Sequence, residues 1–315
     1  VRRLLSIPNI KVCNLDKISY ASNFDISNEY ISSDRYNFFN VDLYNEKDTT
    51  NIIKLIKPDL VFHLAAETHV DKSISSPKNF LKSNIIGTFN LLEALLSHWE
   101  FMHEERKKYF RFIHVSTDEV FGSIKEGSFS SELTRYDPRS PYSATKAASD
   151  HLVKAWSNTY GFPVIVTNSC NNFGPWQYPE KLIPVIINKA LNSKFIPLYG
   201  NGQNVRDWIY VEDHVDALIQ VMLKGRLGDS YCIGSRQLKT NEEIVNIVCG
   251  YLDLYNKSNA PHIRFKKFVN DRAGHDFKYA IDNNKIINEL KWTPKYDFDE
   301  AIDFTVKWYL DNHNL

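Results

Sequence analysis

The chain has 315 residues, and its 38 Lys and Arg side chains balance 38 Asp and Glu side chains, so no net charge recommends a nucleic acid or an anionic membrane as partner. Its length suits one large α/β domain with a smaller one. Four cysteines without paired spacing, no apolar run of membrane-spanning length and no signal-peptide pattern indicate a cytoplasmic protein with reduced thiols.

The first half of the chain alternates apolar runs with helical periodicity. Strands are predicted at 10–16, 36–43, 59–69, 110–117 and 162–169. Helices are predicted at 45–56, 76–99 and 140–161. This alternation predicts a parallel, doubly wound sheet of the Rossmann type, and therefore an α/β fold.

The second half of the chain has a different pattern. A loop broken by proline and glycine is predicted at 169–184, helices at 182–192, 213–224, 240–252 and 298–310, and a strand at 229–234. We predict a dinucleotide-binding domain of residues 1–172 plus about 209–234, interleaved with a smaller substrate domain of 173–208 plus about 235–315.

The beginning of the chain lacks a feature that dinucleotide folds normally carry. Such folds open with a strand, a glycine-rich turn and a helix whose N-terminus holds the pyrophosphate. No G-x-x-G-x-x-G or G-x-G-x-x-G occurs, and the helix-like VRRLLS stands directly before the strand at 10–16. We therefore expect the first half of a βαβ unit to be missing and the chain as written to bind NAD poorly.

Asp16 ends the first predicted strand. An acid at that position binds the ribose hydroxyls on the adenine side and favours NAD over NADP. The alternative is a solvated acid at a strand end, and the adjacent Lys17 leaves NADP open.

Tyr142 and Lys146 are four residues apart and share one helix face. A phenol with a pKa of about 10 needs a shift of about 3 units to act as a base near pH 7, and a neighbouring ammonium supports that shift. The alternative is a surface pair of neighbours, against which stands the strand end VST (115–117) at the appropriate distance upstream.

Thr117, Asp118 and Glu119 follow a buried strand. Paired carboxylates divide acid and base work when their environments separate their pKa values. The alternative is that the acids cap the segment that follows. The ten histidines show no metal-ligand spacing, and no phosphate-loop or nucleophile-elbow motif is present, which argues against a metal site and against kinases and hydrolases.

Six blocks spread over the chain together resemble the dTDP-glucose 4,6-dehydratase family, which belongs to the extended short-chain dehydrogenases/reductases. They are HLAAETHVDKSI (63–74), HVSTDEVFG (114–122), YSATK (142–146), NNFGPWQYPEKLIP (171–184), RDWIYVEDH (206–214) and DRAGHD (271–276). The chain departs from the family pattern at Ala273, where proline is usual, and at Phe121 and Phe173, where tyrosine is common.

The resemblance implies a reaction and a role for each catalytic residue. Tyr142 would take the proton of the sugar 4-hydroxyl while hydride passes from C4 to NAD. Thr117 would bind the same oxygen, and Lys146 would hold the nicotinamide ribose and lower the pKa of Tyr142. Glu119 would take the C5 proton and Asp118 would protonate the departing C6 hydroxyl, giving a 4-keto-6-deoxy sugar.

The resemblance also implies binding residues and an assembly. The cofactor contacts would be Asp16, Lys17, Ser19, Asp42, Leu43, Leu64, Ala65, Ala66, Thr68, Ser83, Tyr142, Lys146 and Asn172. The nucleotide-sugar contacts would be His69, Thr117, Asn171, Lys181, Leu182, Pro197, Tyr199, Arg206, Asn241, Arg272, His275 and Tyr279. A homodimer is expected through the helices near 76–99 and 141–160, with no nucleic acid or membrane partner.

Three alternatives stay open. A nucleotide-sugar 4-epimerase or decarboxylase shares the threonine, tyrosine and lysine but has no use for Asp118 and Glu119. A dehydratase of UDP- or GDP-sugars would carry the same catalytic set. A truncated, inactive homologue that serves as a binding or dimerising module would explain the absent phosphate-binding turn.

Overall fold

The computed structural model describes residues 1–22, 30 and 32–312, which form two compact units. The first unit comprises Val1–Ser116, Pro141–Val166 and Arg226–Asp229. The second unit comprises Thr117–Ser140, Thr167–Gly225 and Ser230–Leu315.

These bounds differ from the predicted domain bounds at three places. The segments 117–140 and 167–172 and most of 209–234 belong to the second unit. The backbone explains the first difference, because Ile124 and Ser130 donate hydrogen bonds to the carbonyls of Lys278 and Ala280. The assignment of the cofactor to one unit and of the sugar to the other stays a prediction.

Strands and helices alternate along the described chain. The strands are β1 Val12–Asp16, β2 Tyr36–Asn40, β3 Leu60–His63, β4 Arg111–Thr117, β5 Val164–Ser169, β6 Asn171–Phe173, β7 Ile196–Tyr199, β8 Val205–Tyr210, β9 Ser230–Ile233, β10 Leu238–Thr240 and β11 Lys266–Val269. The helices are α1 Arg2–Leu5, α2 Glu46–Ile56, α3 Val70–Ser75, α4 Pro77–Phe80, α5 Gly87–Glu100, α6 Glu104–Lys107, α7 Pro141–Tyr160, α8 Leu182–Leu191, α9 Val211–Lys224, α10 Asn241–Tyr255, α11 Asn284–Leu290 and α12 Phe298–Asp311. A π-helical segment, Leu81–Ile86, joins α4 to α5, and 3₁₀ turns cover Asp118–Phe121, Lys257–Asn259 and His262–Phe265.

The sheets confirm the predicted α/β class with parallel strands. β1 and β2 pair in parallel, and a four-stranded sheet has the order β3-β4-β5-β9 with β3 and β4 parallel. In the second unit β8 lies between β6, to which it is parallel, and β10, to which it is antiparallel, while β7 and β11 pair in parallel. Among the described residues no strand joins the β1-β2 sheet to the four-stranded sheet.

Each unit has its own apolar core. The first core contains Ile53, Leu92, Leu95, Phe110, Phe112 and Phe162, among others. The second core contains Ile186, Ile196, Trp208, Ile244 and Ile302, among others. Thr240 and Glu243 form a capping box at the start of α10, which satisfies backbone donors that a helix N-terminus leaves open.

The long helices and strands β1, β4 and β9 agree with the sequence prediction within a few residues, and several other short elements do not. The strand predicted at 59–69 is only β3, because 64–69 is a loop whose Glu67 backbone bonds the Asn84 side chain instead of another strand. The loop predicted at 169–184 contains β6. Strands β7, β8, β10 and β11 and helices α3, α6 and α11 were not predicted.

Candidate active site

Tyr142 and Lys146 are buried on helix α7 of the first unit. The helix begins at Pro141, whose fixed φ suits a first helical position, and ends before Gly161, which has φ 66°. The Lys146 Nζ donates a hydrogen bond to the Val115 carbonyl at 2.9 Å. The two side chains are therefore not an exposed surface pair.

Burial lowers the pKa of the Lys146 ammonium, and the negative charge of Asp150 opposes that shift. The Phe80 ring stands edge-on to the Tyr142 ring with centroids 6.4 Å apart. A low-dielectric setting of this kind strengthens the influence of an ammonium on nearby groups.

Asn84, which the sequence reasoning missed, ties the helix of Tyr142 to the loop after β3. Its Oδ1 accepts from the Glu67 amide at 2.8 Å, and its Nδ2 donates to the Glu67 carbonyl at 3.0 Å and to Thr145 Oγ1 at 2.9 Å. Thr145 Oγ1 in turn donates to the Tyr142 carbonyl at 2.8 Å. The available signal was an asparagine within an apolar helical stripe, at the π-helical segment.

Predicted cofactor residues lie on loops at the carboxyl ends of β1, β2 and β3. The Lys17 Nζ lies 2.9 Å from a Glu67 carboxylate oxygen and 3.5 Å from Ser83 Oγ, so the structure brings Lys17 and Ser83 together. Asp16 ends β1 and pairs in register with Asn40. The remaining predicted positions on these loops are Ser19, Leu64, Ala65, Ala66 and Thr68.

The loop with Asp42 and Leu43 is held by Asn90, a second residue that the sequence reasoning missed. Asn90 Nδ2 donates to the carbonyls of Leu43 and Tyr44 at 2.9 and 3.0 Å. Gly87 permits the close approach, because a Cβ there would lie 3.2 Å from the Leu43 Cβ.

His69 is a predicted sugar contact that lies in the first unit. Its ring Nδ1 accepts a hydrogen bond from the Lys72 amide at 3.3 Å and so caps α3. This cap gives the histidine a structural role besides the predicted one.

In the second unit Thr117 ends β4, and the turn Asp118–Phe121 follows at once. The Thr117 hydroxyl accepts from the Glu119 amide at 3.2 Å and donates to Asp118 Oδ1 at 3.3 Å. The turn closes at Gly122, with φ 70°, where a Cβ would lie 2.3 Å from the Asp137 carbonyl oxygen. The threonine, not either carboxylate, therefore caps this turn.

Asp118 is buried, with 3% of its surface exposed. Burial raises the pKa of its carboxyl well above the usual value, the charges of Glu119 and Asp207 raise it further, and Arg206 and the Thr117 hydrogen bond oppose the shift. Its Oδ2 is buried and has no hydrogen-bond partner among the described residues. A carboxyl whose pKa is raised in this way is suited to donate a proton.

Glu119 follows Asp118 in the sequence, and three cationic side chains act on its carboxyl group. Burial raises the pKa of the Glu119 carboxyl, and the charges of Arg206, Arg272 and Lys181 lower it in that order of size. The two neighbouring acids therefore differ, since the pKa of Asp118 is raised more strongly and only Glu119 has several opposing cations. Such a separation is what acid and base roles need.

All three cations, Arg206, Arg272 and Lys181, are among the predicted nucleotide-sugar contacts. The Arg206 guanidinium donates to the backbone carbonyls of Val205, Phe277 and Asp276 at 2.8 to 3.2 Å and stacks 4.3 Å above the Tyr279 ring. These bonds fix its position and leave its charge unneutralised.

A second cluster contains Arg272, His275 and Tyr199. Arg272 Nη2 lies 3.3 Å from His275 Nε2, and the Arg272 guanidinium lies 5.4 Å from the Tyr199 ring centroid. Asp271 contacts His275 Nδ1 at 2.6 Å. The structure thus brings Tyr199 together with Arg272 and His275, two predicted sugar contacts that lie far from it in the sequence.

The other predicted positions of the second unit occupy strand and helix ends. They are Asn171 and Asn172 on β6, Lys181 and Leu182 at the start of α8, Pro197 on β7, and Asn241 at the start of α10. Asn172 Oδ1 is buried and accepts no hydrogen bond from the described residues. Asn168, a further residue that was missed, donates to the Thr117 carbonyl at 3.2 Å.

The described residues contain neither a metal-ligand cluster nor a membrane-spanning helix. No group of three or more His, Cys, Asp or Glu side chains in residues 1–22, 30 and 32–312 has the arrangement of a metal site. Within the same ranges, no helix is both long and apolar enough to cross a membrane.

Comparison with known protein families and proteins gives strong matches in sequence. The family model described as GDP-mannose 4,6 dehydratase matches residues 1–305. The dTDP-glucose 4,6-dehydratase of Haemophilus influenzae is 46% identical over 318 residues, which cover 99% of this chain and 94% of that protein. The dTDP-glucose 4,6-dehydratase of Salmonella typhimurium is 45% identical over 321 residues, with 99% and 89% covered.

Solved structures agree with the sequence matches. A dTDP-glucose 4,6-dehydratase from Streptomyces venezuelae, solved with NAD and TYD bound, has a TM-score of 0.89 at 35% identity and covers 99% of this chain and 91% of its own. The enzyme of that name from Bacillus anthracis, solved with NAD, has a TM-score of 0.86 at 37% identity, with 99% and 92% covered. A UDP-glucose 4-epimerase from Thermotoga maritima, at 24% identity and a TM-score of 0.85, shares the fold.

Proposed function

Because the chain belongs to the dTDP-glucose 4,6-dehydratase family, we propose that it is an NAD-dependent hydro-lyase that converts dTDP-glucose to dTDP-4-keto-6-deoxyglucose in deoxysugar biosynthesis. The observation that carries the proposal is the pair Asp118, which is buried, and Glu119, which is partly buried, two acids directly after Thr117 whose pKa values are raised to different degrees. A 4-epimerase has no use for such a pair.

The residues at the strand ends of the first unit suit NAD. Asp16 closes β1 with a carboxylate that accepts hydrogen bonds from ribose hydroxyls and repels a 2′-phosphate. We assign the adenine ribose to Asp16 and the nicotinamide ribose to Tyr142 and Lys146. When bound, NAD accepts a hydride from C4 of the sugar and later returns it to C6.

The first proton transfer belongs to Tyr142. Its phenol oxygen takes the proton of the sugar 4-hydroxyl, and Thr117 Oγ1 binds the same sugar oxygen. The Lys146 ammonium stabilises the tyrosinate, because an adjacent positive charge lowers a phenol pKa. A ketone at C4 acidifies the C5 proton, so oxidation precedes the loss of water.

The elimination belongs to the two acids. Glu119 takes the proton from C5, and Asp118 gives its proton to the departing C6 hydroxyl, so the C–O bond breaks and water leaves. The raised pKa of Asp118 keeps the proton available, and the cations around Glu119 favour its ionised form. The two acids thus differ in the direction that an acid role for Asp118 and a base role for Glu119 require.

Turnover of dTDP-glucose tests the proposal. Because the chain as written is expected to bind NAD poorly, NAD is supplied in large excess. The protein should then form a 4-keto-6-deoxy product, seen by its absorbance in alkali and by the loss of one water in the mass spectrum. Tyr142→Phe should reduce the rate by about 10²- to 10⁴-fold. Tyr109→Phe, at an exposed tyrosine of the same unit, is the matched control.

The same assay decides between the alternatives. Turnover of UDP- or GDP-sugars with none of dTDP-glucose would overturn the substrate assignment. A change of configuration at C4 without loss of water would identify an epimerase. A protein that binds nucleotide sugar but turns none over would correspond to the inactive homologue.

We further propose a homodimer formed through α5 and α7. Phe89 packs edge-on against Trp156 with ring centroids 5.9 Å apart, yet Phe89, Ile86 and Tyr160 keep between 38% and 49% of their surface exposed. An exposed aromatic and aliphatic face on two neighbouring helices is typical of an interface. Sedimentation should show a dimer that Phe89→Glu dissociates, while Phe101→Glu, at the exposed end of α5, should leave it intact.

We place the protein in the cytoplasm. All four cysteines are free thiols, and three of them are buried. Secreted proteins of this size more commonly pair their cysteines. Fractionation of the source cells tests this assignment, and recovery outside the cytoplasm would contradict it.

A further inference from the structure

Helix α7 carries a third buried charged residue one turn beyond Lys146. Asp150 is 0% exposed, and its position four residues after Lys146 puts both on one helix face. Tyr142, Lys146 and Asp150 therefore recur at equal spacing along one helix. The proposed function assigns roles to the first two and none to the third.

The Asp150 carboxylate is held by strand β4 from both sides. His114 Nε2 lies 3.1 Å from Oδ1, and Ser116 Oγ donates to Oδ2 at 2.8 Å. Between those two residues, Val115 offers its carbonyl to the Lys146 ammonium at 2.9 Å. Three consecutive residues of β4 thus bind the anion and the cation of α7.

The charges around this cluster leave Lys146 as the cation that Asp150 balances. His63 and His114 are fully buried, their rings are 5.2 Å apart, and burial lowers the pKa of each, so both are neutral near pH 7. Burial raises the pKa of Asp150, but His114, Lys146 and Ser116 together hold it below the usual value. The titratable groups that act on one another here are His63, His114, Lys146 and Asp150.

We propose that Asp150 is a positioning residue for the dehydratase reaction, the buried counter-charge that keeps Lys146 protonated and fixes its place on α7. The inference rests on the proposed function for its catalytic consequence, because a neutral Lys146 would no longer stabilise the Tyr142 phenolate. The effect of Asp150 on the charge of Lys146 does not depend on the proposed function. His114 and Ser116 serve it by holding the carboxylate to β4.

Titration of Lys146 tests the electrostatic content without any turnover. In protein labelled with ¹³C at the lysine ε-carbons, the Lys146 signal is the one that disappears in Lys146→Met. Asp150→Asn should lower the pKa of Lys146 by about one unit or more, since a buried counter-charge is lost. An unchanged pKa would overturn the proposal.

Ser149→Ala is the matched control for that titration. Ser149 is buried on the same helix, next to Asp150, and its hydroxyl donates to the carbonyls of Asn84 and Thr145. Its loss disturbs packing without removing a charge. The Lys146 titration should stay as in the parent protein, and an equal shift in both variants would reduce Asp150 to a merely structural residue.

The pH profile of turnover tests the catalytic consequence. In Asp150→Asn the alkaline limb of kcat should move to lower pH, with about a tenfold loss of rate for each unit of pH beyond the shifted pKa. A parent protein without dTDP-glucose turnover would defeat the proposed function but leave the titration result standing. A normal alkaline limb together with a shifted Lys146 pKa would overturn the catalytic part of the inference.

A double variant covers the case in which Asp150→Asn does not fold. Removing one of two opposite buried charges leaves the other uncompensated, whereas removing both does not. Asp150→Asn combined with Lys146→Met should therefore fold and resist urea better than Asp150→Asn alone. A double variant no more resistant than the single one would count against the pairing of these charges.

Discussion

Asp118 in the second unit and Asp150 in the first unit are two buried aspartates whose carboxyl pKa values are shifted in opposite directions. Both are buried, with 3% and 0% of their surface exposed. Asp150 is bonded through both oxygens and shares a helix face with an ammonium, so its pKa lies below the usual value. Asp118 has one bonded oxygen and two carboxylates nearby, so its pKa lies well above it.

The difference teaches that burial alone does not decide the charge of a carboxyl group. The number of donors and the sign of the neighbouring charges decide it. Asp150 is satisfied and stabilises the fold as an anion. Asp118 is incompletely satisfied, which costs stability and keeps a proton available for transfer, as is common at functional sites.

The largest expected effect is on the reaction of Asp118→Asn. An amide cannot protonate the leaving hydroxyl, so loss of water should slow by about 10²- to 10⁴-fold while C4 oxidation slows far less. Rapid-quench mass spectrometry should then show a 4-keto sugar that retains its C6 oxygen. Asp137→Asn, an exposed acid of the same segment, is the control, and equal slowing of both steps would contradict the acid role.

The next effect is on the stability of Asp150→Asn. The variant leaves a lone buried ammonium and should lose about 3–5 kcal/mol of unfolding free energy at pH 7. Because the folded pKa of Asp150 is lowered, its stabilisation is present above the unfolded pKa and disappears as the pH falls through the folded value. Urea unfolding at neutral and acidic pH should show a large deficit that shrinks on acidification, whereas Asp59→Asn, at an exposed acid, should change little.

Ser116→Ala isolates one of the bonds that hold Asp150. A hydrogen bond to a charged group contributes about 1.5–3 kcal/mol, and the variant should lose that much unfolding free energy at pH 7. Ser128→Ala, at an exposed position, serves as the control in the same urea titration. A loss as small as that of the control would mean that Asp150 does not depend on β4.

The smallest expected effect is a gain, not a loss, of unfolding free energy, in Asp118→Asn. The folded pKa of Asp118 is raised, so the stability that this group contributes is present below its unfolded pKa and is lost as the pH rises through the folded value. Asp118→Asn should therefore gain about 0.5–2 kcal/mol of unfolding free energy at mildly alkaline pH. The gain should shrink on acidification, and a loss of stability at alkaline pH would contradict the account of Asp118.

The sequence predicted the elements that its periodicity marks strongly. Helices such as α2, α7 and α12 agree within a residue or two, because a long apolar stripe repeats often enough to locate both ends. Strands β7, β10 and β11 have three or four residues, and two of them contain lysines, so they carry too little pattern to recognise. Their partners are far away in the chain, which periodicity cannot show.

The residues of the candidate site also fall into those that the sequence predicted and those that it missed. Thr117, Asp118, Glu119, Tyr142 and Lys146 stand in short motifs whose spacing suggests chemistry. Asn84, Asn90 and Asn168 were missed because each acts through bonds to the backbone of a distant loop, and Asp150 was missed because its partners come from another element. The opposite pKa shifts of Asp118 and Asp150 depend on contacts that no spacing encodes.

The most direct test of the account compares the charge states of these two side chains. In protein labelled with ¹³C at the aspartate carboxyl carbons, Asp118→Asn and Asp150→Asn identify the two signals. The account predicts that Asp118 keeps its proton at a pH at which Asp150 is ionised. An ionised Asp118 together with a protonated Asp150 at that pH would contradict it.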